Sequence, residues 1–382
     1  QVNKAITFNM HVLHVTQTYY PDSRGGIEEV IRQIAINNKS LGIETRVFTL
    51  SNKPMPTCIE IDGIKIYRAP LNAKIASCGM SIKAFGLFKE LVEWAQIINY
   101  HFPWPFMDIL NLFINNNTKM VVTYHSDIVR QKRLFNLYKP LMKHFLKKAN
   151  VIVATSDNYS KSSVILKKYK KKVEVVPLSI SKESYPIPTK KDLTKIKDLV
   201  GQDFFLFIGA LRKYKGLNFL LGALKNTEIK CVIAGSGPEM LRLKGLVKSL
   251  GLTNIVFLGR VSDSEKVSLI RLCRAVVLPS NLRSEAFGVV LLEGAMYKKP
   301  LISTEINTGT SYVNINEETG LVVPAGDADS LRESMLLLNS DKSLSKKMGQ
   351  AAHQRYLKLF KGSLMSQQYA EIYTTLLKSN AD

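Results

Sequence analysis

Cysteines, acidic residues and long apolar runs are all scarce in this sequence. The four cysteines (Cys58, Cys78, Cys231 and Cys273) are scattered and form no CxxC pair, which indicates free thiols in a reducing compartment. No stretch approaches the ~20 apolar residues of a membrane-spanning helix, so we expect a soluble or peripheral protein. The 31 Asp and Glu residues are outnumbered by 53 Lys and Arg residues, and the net charge of +22 favours an anionic partner.

Two kinds of segment alternate along the whole chain. Short β-branched or apolar runs are followed by amphipathic helical patterns, which predicts an α/β protein with parallel sheets. At 382 residues, two domains are expected rather than a single core. We therefore predict two Rossmann-like, doubly wound domains that face each other across a cleft.

The predicted domain boundaries follow changes in composition. Residues 10–180 form an N-terminal domain, 181–200 a Pro- and Lys-rich linker, 201–360 a C-terminal domain, and 361–382 a helix that crosses back to the N-terminal domain. The first ten residues, QVNKAITFNM, resemble neither a signal peptide nor part of a core, and Met10 is a candidate natural start, which leaves open whether residues 1–9 are native.

Positive charge is concentrated in two stretches of the N-terminal half. Residues 130–148 contain seven Lys or Arg residues and no acid, and residues 161–172 add six lysines. The apolar residues of the first stretch recur at helical spacing: Leu134, Leu137, Tyr138, Leu141 and Phe145. A basic amphipathic helix suits an anionic membrane surface. It also suits nucleic acid, although no nucleic-acid-binding module surrounds it, and a solvated face is the third interpretation.

Two candidate sites follow strands of the N-terminal half, where an open parallel sheet binds its ligands. The stretch YYPDSRGGIEEV places Gly25 and Gly26 at a helix start, and paired glycines let backbone N–H groups approach an anion. The stretch VVTYHSDIV places His125 and Asp127 just past a strand, where a histidine can bind a sugar hydroxyl or stabilise developing charge. A structural turn and a buried, satisfied histidine are the alternatives.

No metal site is predicted from the sequence. His11 and His14 lie three apart on a predicted strand, so they point to opposite faces and cannot chelate one ion. No DxD-type motif stands in a convincing place.

Two further candidates follow strands of the C-terminal half. The stretch FIGALRKYKGLNFL places Arg212, Lys213 and Lys215 between a strand and a helix, where fixed cations suit a diphosphate. Only one or two of these three can point into a cleft, and a solvated basic turn is the alternative. In VIAGSGPEMLRL, Gly235 and Gly237 permit close backbone approach. That turn lacks a Walker lysine–serine pair, which argues against a P-loop kinase.

The stretch GRVSDSEK places Asp263 and Lys266 at another helix start. An aspartate at this position either caps the helix or accepts hydrogen bonds from a ligand. The N1–H and N2–H₂ groups of guanine would suit such a carboxylate, and uracil does not present that pair of donors.

The stretch SEAFGVVLLEG carries two glutamates, Glu285 and Glu293, around an apolar run. If a helix starts at Val289, the free N–H groups near Phe287, Gly288 and Val289 form an anion site. Glu285 then lies in the loop on one side of that site and Glu293 one turn deeper on the other. One carboxylate can bond sugar hydroxyls and the other a ribose, although this spacing alone is common by chance.

Taken in order, these motifs resemble the retaining glycosyltransferases of family 4, whose two Rossmann-like domains form the GT-B fold. The resemblance covers nearly the whole chain, through GGIE, YHSD, LRKYKG, GSGP, GRVSDSEK and SEAFGVVLLEG. The bacterial O-antigen mannosyltransferases, which build polymannose chains from GDP-mannose, are similar in the stretches INYHFPWPFMD, TYHSDIVRQKRL and LRSEAFG.

The resemblance implies roles for residues of the C-terminal half. Glu285 would contact the donor sugar as a catalytic residue, Glu293 would bind the ribose, and Lys215 would hold the diphosphate. The arginine that relatives pair with this lysine falls at Ala210 here, so Arg212 would have to reach in from a different backbone position. The remaining donor-binding residues would be Gly235, Asp263, Lys266, Phe287, Gly288 and Val289.

The resemblance also implies roles in the N-terminal half. His125 would contact the donor sugar as the second catalytic residue, and Gly25 and Gly26 would lie near the diphosphate and the acceptor. The expected acceptor-side residues are Tyr19, Tyr20 and Asp127.

The implied reaction is transfer of mannose from GDP-mannose to a lipid-linked glycan, with retention of configuration and without a metal or other cofactor. Asp263 and Lys266 match the guanine-reading positions of relatives that use GDP-sugars. The implied partners are an undecaprenyl-diphosphate-linked acceptor and the anionic inner face of the bacterial cytoplasmic membrane, with no nucleic acid. The alternatives are a UDP-sugar donor on the same fold and, less favoured, a non-enzymatic nucleic-acid-binding α/β protein.

Overall fold

The computed structural model describes residues 10–23, 25–114, 118–128 and 132–379. The chain divides into two units. The first unit comprises Gln1–Ser179 together with Gly362–Asp382, and the second comprises Ile180–Lys361. Residues 1–9, which precede the candidate start Met10, and residues 130–131 of the basic stretch lie outside the described residues.

The first unit is built on an eight-stranded sheet. Its strands are β1 (Met10–Val15), β2 (Ile43–Ser51), β3 (Cys58–Ile61), β4 (Ile64–Pro70), β7 (Ile97–Phe102), β8 (Lys119–Tyr124), β9 (Val151–Ala154) and β10 (Val173–Val175), while β5 (Ala73–Ile75) and β6 (Cys78–Met80) form a separate antiparallel pair. The order is β10–β9–β8–β7–β1–β2–β4–β3, and all pairs are parallel except β3 with β4. β2, β3 and β4 lie on one side of β1, whereas β7 to β10 lie on its other side. The junction of β1 and β7 is therefore the switch point, where doubly wound sheets bind ligands.

Helices cover the sheet of the first unit. They are α1 (Gly26–Lys39), α2 (Ala84–Trp94), α3 (Pro105–Leu112), α4 (Lys132–Lys148), α5 (Asp157–Ser162) and α6 (Val164–Lys168). Every residue of β7 and β9 is buried, as expected for central parallel strands whose two faces are both covered.

The second unit has a six-stranded parallel sheet. Its strands are β11 (Phe205–Ile208), β12 (Cys231–Ala234), β13 (Ile255–Gly259), β14 (Ala275–Leu278), β15 (Leu301–Glu305) and β16 (Gly320–Pro324). The order β13–β12–β11–β14–β15–β16 is the 3-2-1-4-5-6 arrangement of a doubly wound fold, with its switch point between β11 and β14. Its helices are α7 (Lys190–Val200), α8 (Leu217–Ala223), α9 (Met240–Ser249), α10 (Asp263–Leu272), α11 (Val289–Met296), α12 (Thr310–Val313), α13 (Ala328–Ser340) and α14 (Lys342–Leu359).

The last helix, α15 (Gly362–Lys378), belongs to the first unit. Two of its buried tyrosines reach polar side chains of the sheet. The Asn99 amide donates to the Tyr373 hydroxyl at 2.8 Å, and the hydroxyls of Thr123 and Tyr369 are 3.0 Å apart. These bonds satisfy polar groups that would otherwise be buried without partners.

Residues 181–200 do not form the predicted linker. They lie within the second unit, and their second half is α7. Thr189 and Asp192 form a reciprocal capping box, and Ile196 and Val200, four residues apart, are buried on one side of the helix. The Pro- and Lys-rich composition concealed this cap and this apolar pair.

The basic helix α4 has an inward and an outward apolar surface. Met142, Phe145 and Leu146 are buried, whereas Leu134 is 48% and Leu137 82% exposed. The helix therefore presents apolar side chains outside the core beside its lysines. Within the described ranges, no helix is both long and apolar enough to cross a membrane.

Candidate functional site

The switch point of the second unit holds a buried ion pair. Lys215 follows β11 and Glu285 follows β14, so these neighbouring strands bring together two residues that lie 70 positions apart in the sequence. The Lys215 ammonium donates to Glu285 Oε2, and only 12% and 10% of the two side chains are exposed. Ser280 Oγ donates to the same carboxylate oxygen at 3.0 Å. Glu285 is thus held in one orientation by two donors from different loops.

Electrostatics keep the Lys215 ammonium charged in spite of its burial. Burial by itself disfavours the cation, but the Glu285 carboxylate outweighs that effect, so the pKa of Lys215 lies above its ordinary value. Arg212 opposes the Lys215 cation slightly, and its own side chain is exposed. Of the two, Lys215 is the fixed charge at this switch point.

A second ionic cluster surrounds Glu293 on α11. Its Oε1 atom accepts from Lys266 Nζ at 2.8 Å and from the Tyr185 hydroxyl at 3.0 Å, and Glu293 is 6% exposed. Lys266 Nζ also lies 3.6 Å from Asp263 Oδ1 and 4.8 Å from the centre of the Tyr185 ring. One lysine therefore connects the buried carboxylate with Asp263, whose side chain is 59% exposed.

The start of α11 lies between these two clusters in the sequence. The helix begins at Val289, as the sequence analysis assumed, and Gly288 precedes it in the left-handed conformation with φ of 83°. Within residues 180–361, which are described without a gap, no group accepts a hydrogen bond from the backbone N–H of Phe287, Gly288 or Val289. These three N–H groups at the positive end of the helix thus have no acceptor among those residues, which is the condition for binding an anion there.

The structure bears on two other predicted donor residues, Gly235 and Asp263. Gly235 has φ of 144°, and a Cβ there would lie 1.9 Å from the Gly209 carbonyl oxygen. Its own N–H donates to the Gly259 carbonyl at 2.6 Å, so the close approach that it permits is to neighbouring backbone and that N–H is already engaged. Asp263 does not cap α10, because the cap is Ser262, which forms a capping box with Glu265. The carboxylate of Asp263 therefore does not serve as the cap of this helix.

In the first unit, His125 is the end of a chain of three buried histidines. His14 Nδ1 lies 2.8 Å from His101 Nε2, and His101 Nδ1 lies 2.8 Å from His125 Nε2. Burial lowers the pKa of both His14 and His125 to about 3 and places that of His101 well below its ordinary value, where the two neighbouring rings lower it further. The chain is therefore uncharged at neutral pH.

The predicted acceptor-side residues make contacts within the first unit, where Tyr19 is buried and Tyr20 and Asp127 are half-buried. Tyr19 is only 2% exposed and belongs to an apolar cluster with Ile31 and Val47, so it does not present a contact surface for a ligand. The Tyr20 hydroxyl donates to Glu29 Oε2 at 2.9 Å. Asp127 accepts from the hydroxyls of Tyr124 and Ser163 at 2.9 and 2.7 Å. The last contacts indicate that Asp127 holds the loop after β8 in place.

The glycine pair opens α1, but acids accompany it. Gly25 is the N-cap and Gly26 the first helical residue, with Glu28 and Glu29 in the first turn. Glu28 is buried, accepts from the Thr18 hydroxyl at 2.8 Å, and would lie 2.7 Å from a Cβ at Gly25. Because these carboxylates already neutralise the helix start, the electrostatic reason for a diphosphate at this pair is weaker than the sequence suggested.

Comparison with known proteins decides the family. The family described as Glycosyltransferase Family 4 matches residues 24–183, and the one described as Glycosyl transferases group 1 matches residues 189–355. The chain is 47% identical over 351 residues to the D-rhamnosyltransferase WbpZ of Pseudomonas aeruginosa, which covers 92% of both chains. This chain belongs to the family 4 glycosyltransferases.

A further relative agrees with this membership, and two solved structures share the fold. The O-antigen chain mannosyltransferase C of Escherichia coli is 44% identical to this glycosyltransferase over 374 residues, 97% of this chain and 100% of that one. A sucrose-phosphate synthase from Thermosynechococcus elongatus aligns with a TM-score of 0.79 at 20% identity over 97% of this chain and 100% of its own. Anabaena HepE in complex with UDP aligns with a TM-score of 0.77 at 17% identity, over 96% and 100%. The GT-B fold and the glycosyltransferase class are thereby confirmed, and the non-enzymatic alternative is excluded.

Four side chains of this glycosyltransferase's sites were missed from the sequence. Ser280 and Tyr185 bind the two glutamates, and His14 and His101 complete the histidine chain. The signal for His101 was its position near the end of the strand IINYHF, every residue of which is buried, because a polar residue without a partner is unusual there. Ser280 and Tyr185 carried no local signal, because each acts on a residue from another element.

Among the described residues, no group of three or more His, Cys, Asp or Glu side chains could hold a metal ion. The expectation that transfer needs no metal stays a prediction.

Proposed function

We propose that this glycosyltransferase moves mannose from GDP-mannose to a glycan acceptor with retention of configuration. The observation that carries the proposal is the region around α11, where Glu285 and Glu293 are each held by a lysine and a hydroxyl, and where the three backbone N–H groups between them in the sequence have no acceptor within residues 180–361. Such a region offers acceptors to hydroxyls of the donor and donors to its diphosphate.

In this proposal, the second unit neutralises the leaving group. Lys215 and the N–H groups of Phe287, Gly288 and Val289 would stabilise charge that grows on the diphosphate as the glycosidic bond breaks. Glu285 would orient the sugar, and Glu293 would bind the ribose. We assign no enzymic nucleophile.

The choice of guanine rests on Asp263. Its carboxylate is largely exposed, and Lys266 contacts both Asp263 and Glu293. The proposed base contact therefore lies next to the proposed ribose contact. Thermal-shift titration with GDP, UDP and ADP tests this choice, and stabilisation by GDP alone is expected. The variant Asp263→Ala should lose affinity for GDP far more than for UDP. Stabilisation of the wild type by UDP alone would replace the donor with a UDP-sugar.

D-rhamnose is the second candidate sugar. The relative at 47% identity is a D-rhamnosyltransferase and the relative at 44% is a mannosyltransferase. D-rhamnose is mannose without its 6-hydroxyl, so the two donors differ by one oxygen atom. Turnover of GDP-mannose and GDP-D-rhamnose at equal concentration with one acceptor decides between them, and faster turnover of the rhamnose donor would overturn the mannose assignment.

The proposed acceptor is an undecaprenyl-diphosphate-linked glycan of O-antigen biosynthesis, at the inner face of the cytoplasmic membrane. The mannosyltransferase relative supports the O-antigen assignment by its name. The exposed Leu134 and Leu137 of α4, beside its lysines, support contact with an anionic bilayer.

Vesicle sedimentation tests the membrane contact. The quadruple variant of Lys139, Lys143, Lys147 and Lys148 to Glu should no longer bind vesicles that contain anionic lipid. Replacement of four lysines of the second unit, Lys244, Lys248, Lys346 and Lys347, is the matched control and should leave binding unchanged. Unchanged binding by the first variant would contradict the proposal.

The predicted independence from metal has a simple test. Turnover should persist after treatment with EDTA, and addition of Mg²⁺ or Mn²⁺ should restore nothing. Loss of turnover with EDTA and its recovery with either ion would overturn this prediction.

A further inference from the structure

The three histidines of the first unit follow a diagonal path across neighbouring strands. His14 pairs in register with Asn99 of β7, and His101 pairs in register with Thr123 of β8. Residues two apart on a strand share a face of the sheet, so His101 and then His125 each lie one step further toward its carboxyl edge. The chain of rings therefore runs from the interior to the edge where doubly wound sheets bind ligands.

Two arrangements of protons satisfy both hydrogen bonds of the chain. Each uncharged ring has one N–H and one bare nitrogen. In the first arrangement, His14 Nδ1 donates to His101 Nε2 and His101 Nδ1 donates to His125 Nε2, which leaves the proton of His125 on Nδ1. In the second, each proton lies on the other nitrogen, and His14 carries its proton on Nε2.

The interior end of the chain distinguishes the two arrangements. His14 has no exposed surface, and its Nε2 atom is buried without a partner among the described residues. His125 at the other end keeps 5% of its surface exposed. A buried N–H without an acceptor is rarer in proteins than a buried acceptor without a donor. The first arrangement leaves the buried His14 Nε2 without a proton. It places the N–H that has no partner within the chain, that of His125 Nδ1, at the edge of the sheet.

We propose that His101, itself oriented by His14, is a positioning residue that holds His125 with its proton on Nδ1, so that His125 offers an N–H donor to an oxygen of the bound sugar. The sugar as recipient rests on the proposed function, whereas the position of the proton does not. A neutral donor fixed in this way binds a hydroxyl or ring oxygen in one direction only.

Nitrogen NMR of the free protein tests the position of the proton. The imidazoles are labelled with ¹⁵N, and the His125 signals are assigned as those that disappear in His125→Asn. The proposal expects a protonated Nδ1 and a bare Nε2 for His125 in the wild type. A proton on Nε2 overturns it.

A pair of variants at His101 tests the consequence for transfer. Both remove the ring that accepts from His14. Asn can place an amide N–H where His101 Nδ1 stands, whereas Met offers His125 only a weak sulfur acceptor. In His101→Met, the proton of His125 should therefore move to Nε2. We expect kcat/KM of His101→Met to fall about 10- to 100-fold below that of His101→Asn.

The same pair separates positioning from a purely structural role. Met is the better residue for a buried apolar site, so His101→Met should unfold at a temperature equal to or above that of His101→Asn. A structural role predicts that the more stable variant is also the more active one, and that result, or equal activities, would overturn the proposal. Failure of the wild type to use GDP-mannose or GDP-D-rhamnose would instead reject the proposed donor, and the NMR result would still decide the proton arrangement.

Discussion

Each unit brings two buried polar side chains together at its switch point, but the pair is uncharged in the first unit and ionic in the second. In the first unit, β1 and β7 bring together His14 and His101, which are buried and uncharged. In the second, β11 and β14 bring together Lys215 and Glu285, which are buried and form an ion pair. A neutral pair provides directed hydrogen bonds, whereas an ion pair provides fixed charge. The neutral pair suits the hydrogen bond to a sugar that we infer for His125, and the ion pair suits the sugar and diphosphate contacts that we propose for Glu285 and Lys215.

Acidification should have the largest effect on stability, and it should act through the first unit. The histidine chain is uncharged in the folded protein, whereas the ion pair of the second unit is already charged. The three pKa values of the histidine chain are depressed from the ordinary 6.5, to about 3 for His14 and His125. In the unfolded chain the three histidines bind protons below about pH 6.5, whereas in the folded protein His14 and His125 bind them only near pH 3, and the pKa of His101 is likewise lowered. The resulting stability is complete above pH 6.5 and is lost as pH falls, at about 1.4 kcal/mol per pH unit for each histidine.

Thermal unfolding between about pH 7.5 and about pH 5 measures this loss. The variant His14→Leu should show a shallower dependence, since it removes one of the three proton-binding groups. The matched control is His144→Gln on α4, which changes an exposed histidine and should leave the dependence as it is. An unfolding midpoint that does not move with pH would contradict the buried, neutral chain.

Removal of Lys215 should have the next largest effect. In Lys215→Met, the Glu285 carboxylate stays buried with Ser280 as its remaining donor. We expect a loss of stability of about 3–5 kcal/mol and a fall in turnover of about 10²- to 10³-fold. Adding Glu285→Gln to Lys215→Met should restore stability but not turnover, because the unpaired charge disappears while the cation is still missing.

The control for this prediction lies two residues away. Lys213→Met alters an exposed lysine of the same turn and should change neither quantity. Normal turnover by Lys215→Met would show that the fixed charge of the second unit is not used in transfer.

The two helix-opening glycines provide the smallest and most local comparison. Gly288→Ala should destabilise the protein by about 2 kcal/mol, because φ is 83° and the new Cβ would lie 2.7 Å from Leu278 Cδ2. Gly25→Ala should cost less than about 1 kcal/mol, because the new Cβ would meet only the terminal atoms of the Glu28 side chain and no backbone atom. Thermal unfolding of both variants measures this order, and nucleotide affinity should fall only for Gly288→Ala. Equal losses of stability would contradict the assigned difference.

Much of the second unit's site was predictable because its signals are local. The start of α11 at Val289 follows from the glycine and the apolar run around it, and Lys215 stands at a strand–helix turn that the pattern marks. The spacing of Glu285 and Glu293 drew attention to the segment between them. What the pattern did not reveal was that each glutamate would be held by a lysine and a hydroxyl from elsewhere in the chain.

The first unit was less predictable, and two of its residues show the reason. Tyr19 was expected at the acceptor and lies in the core, and Gly25 was expected beside a phosphate and has Glu28 next to it. In each case the residue type was compatible with a ligand, and only packing against other elements showed its actual neighbour. Residues 190–200 are a further example, because their composition suggested a linker and the structure shows a capped helix.

The sequence by itself determined the α/β class, the two-fold repetition of strand and helix, and the family, because hydrophobic period and ordered motifs are properties of neighbouring residues. Tertiary structure alone decided that His14 meets His101 and that Lys215 meets Glu285. Those pairs are 87 and 70 positions apart. They depend on which strands lie side by side and in what register, and strand order is set by long-range contacts that no local pattern encodes.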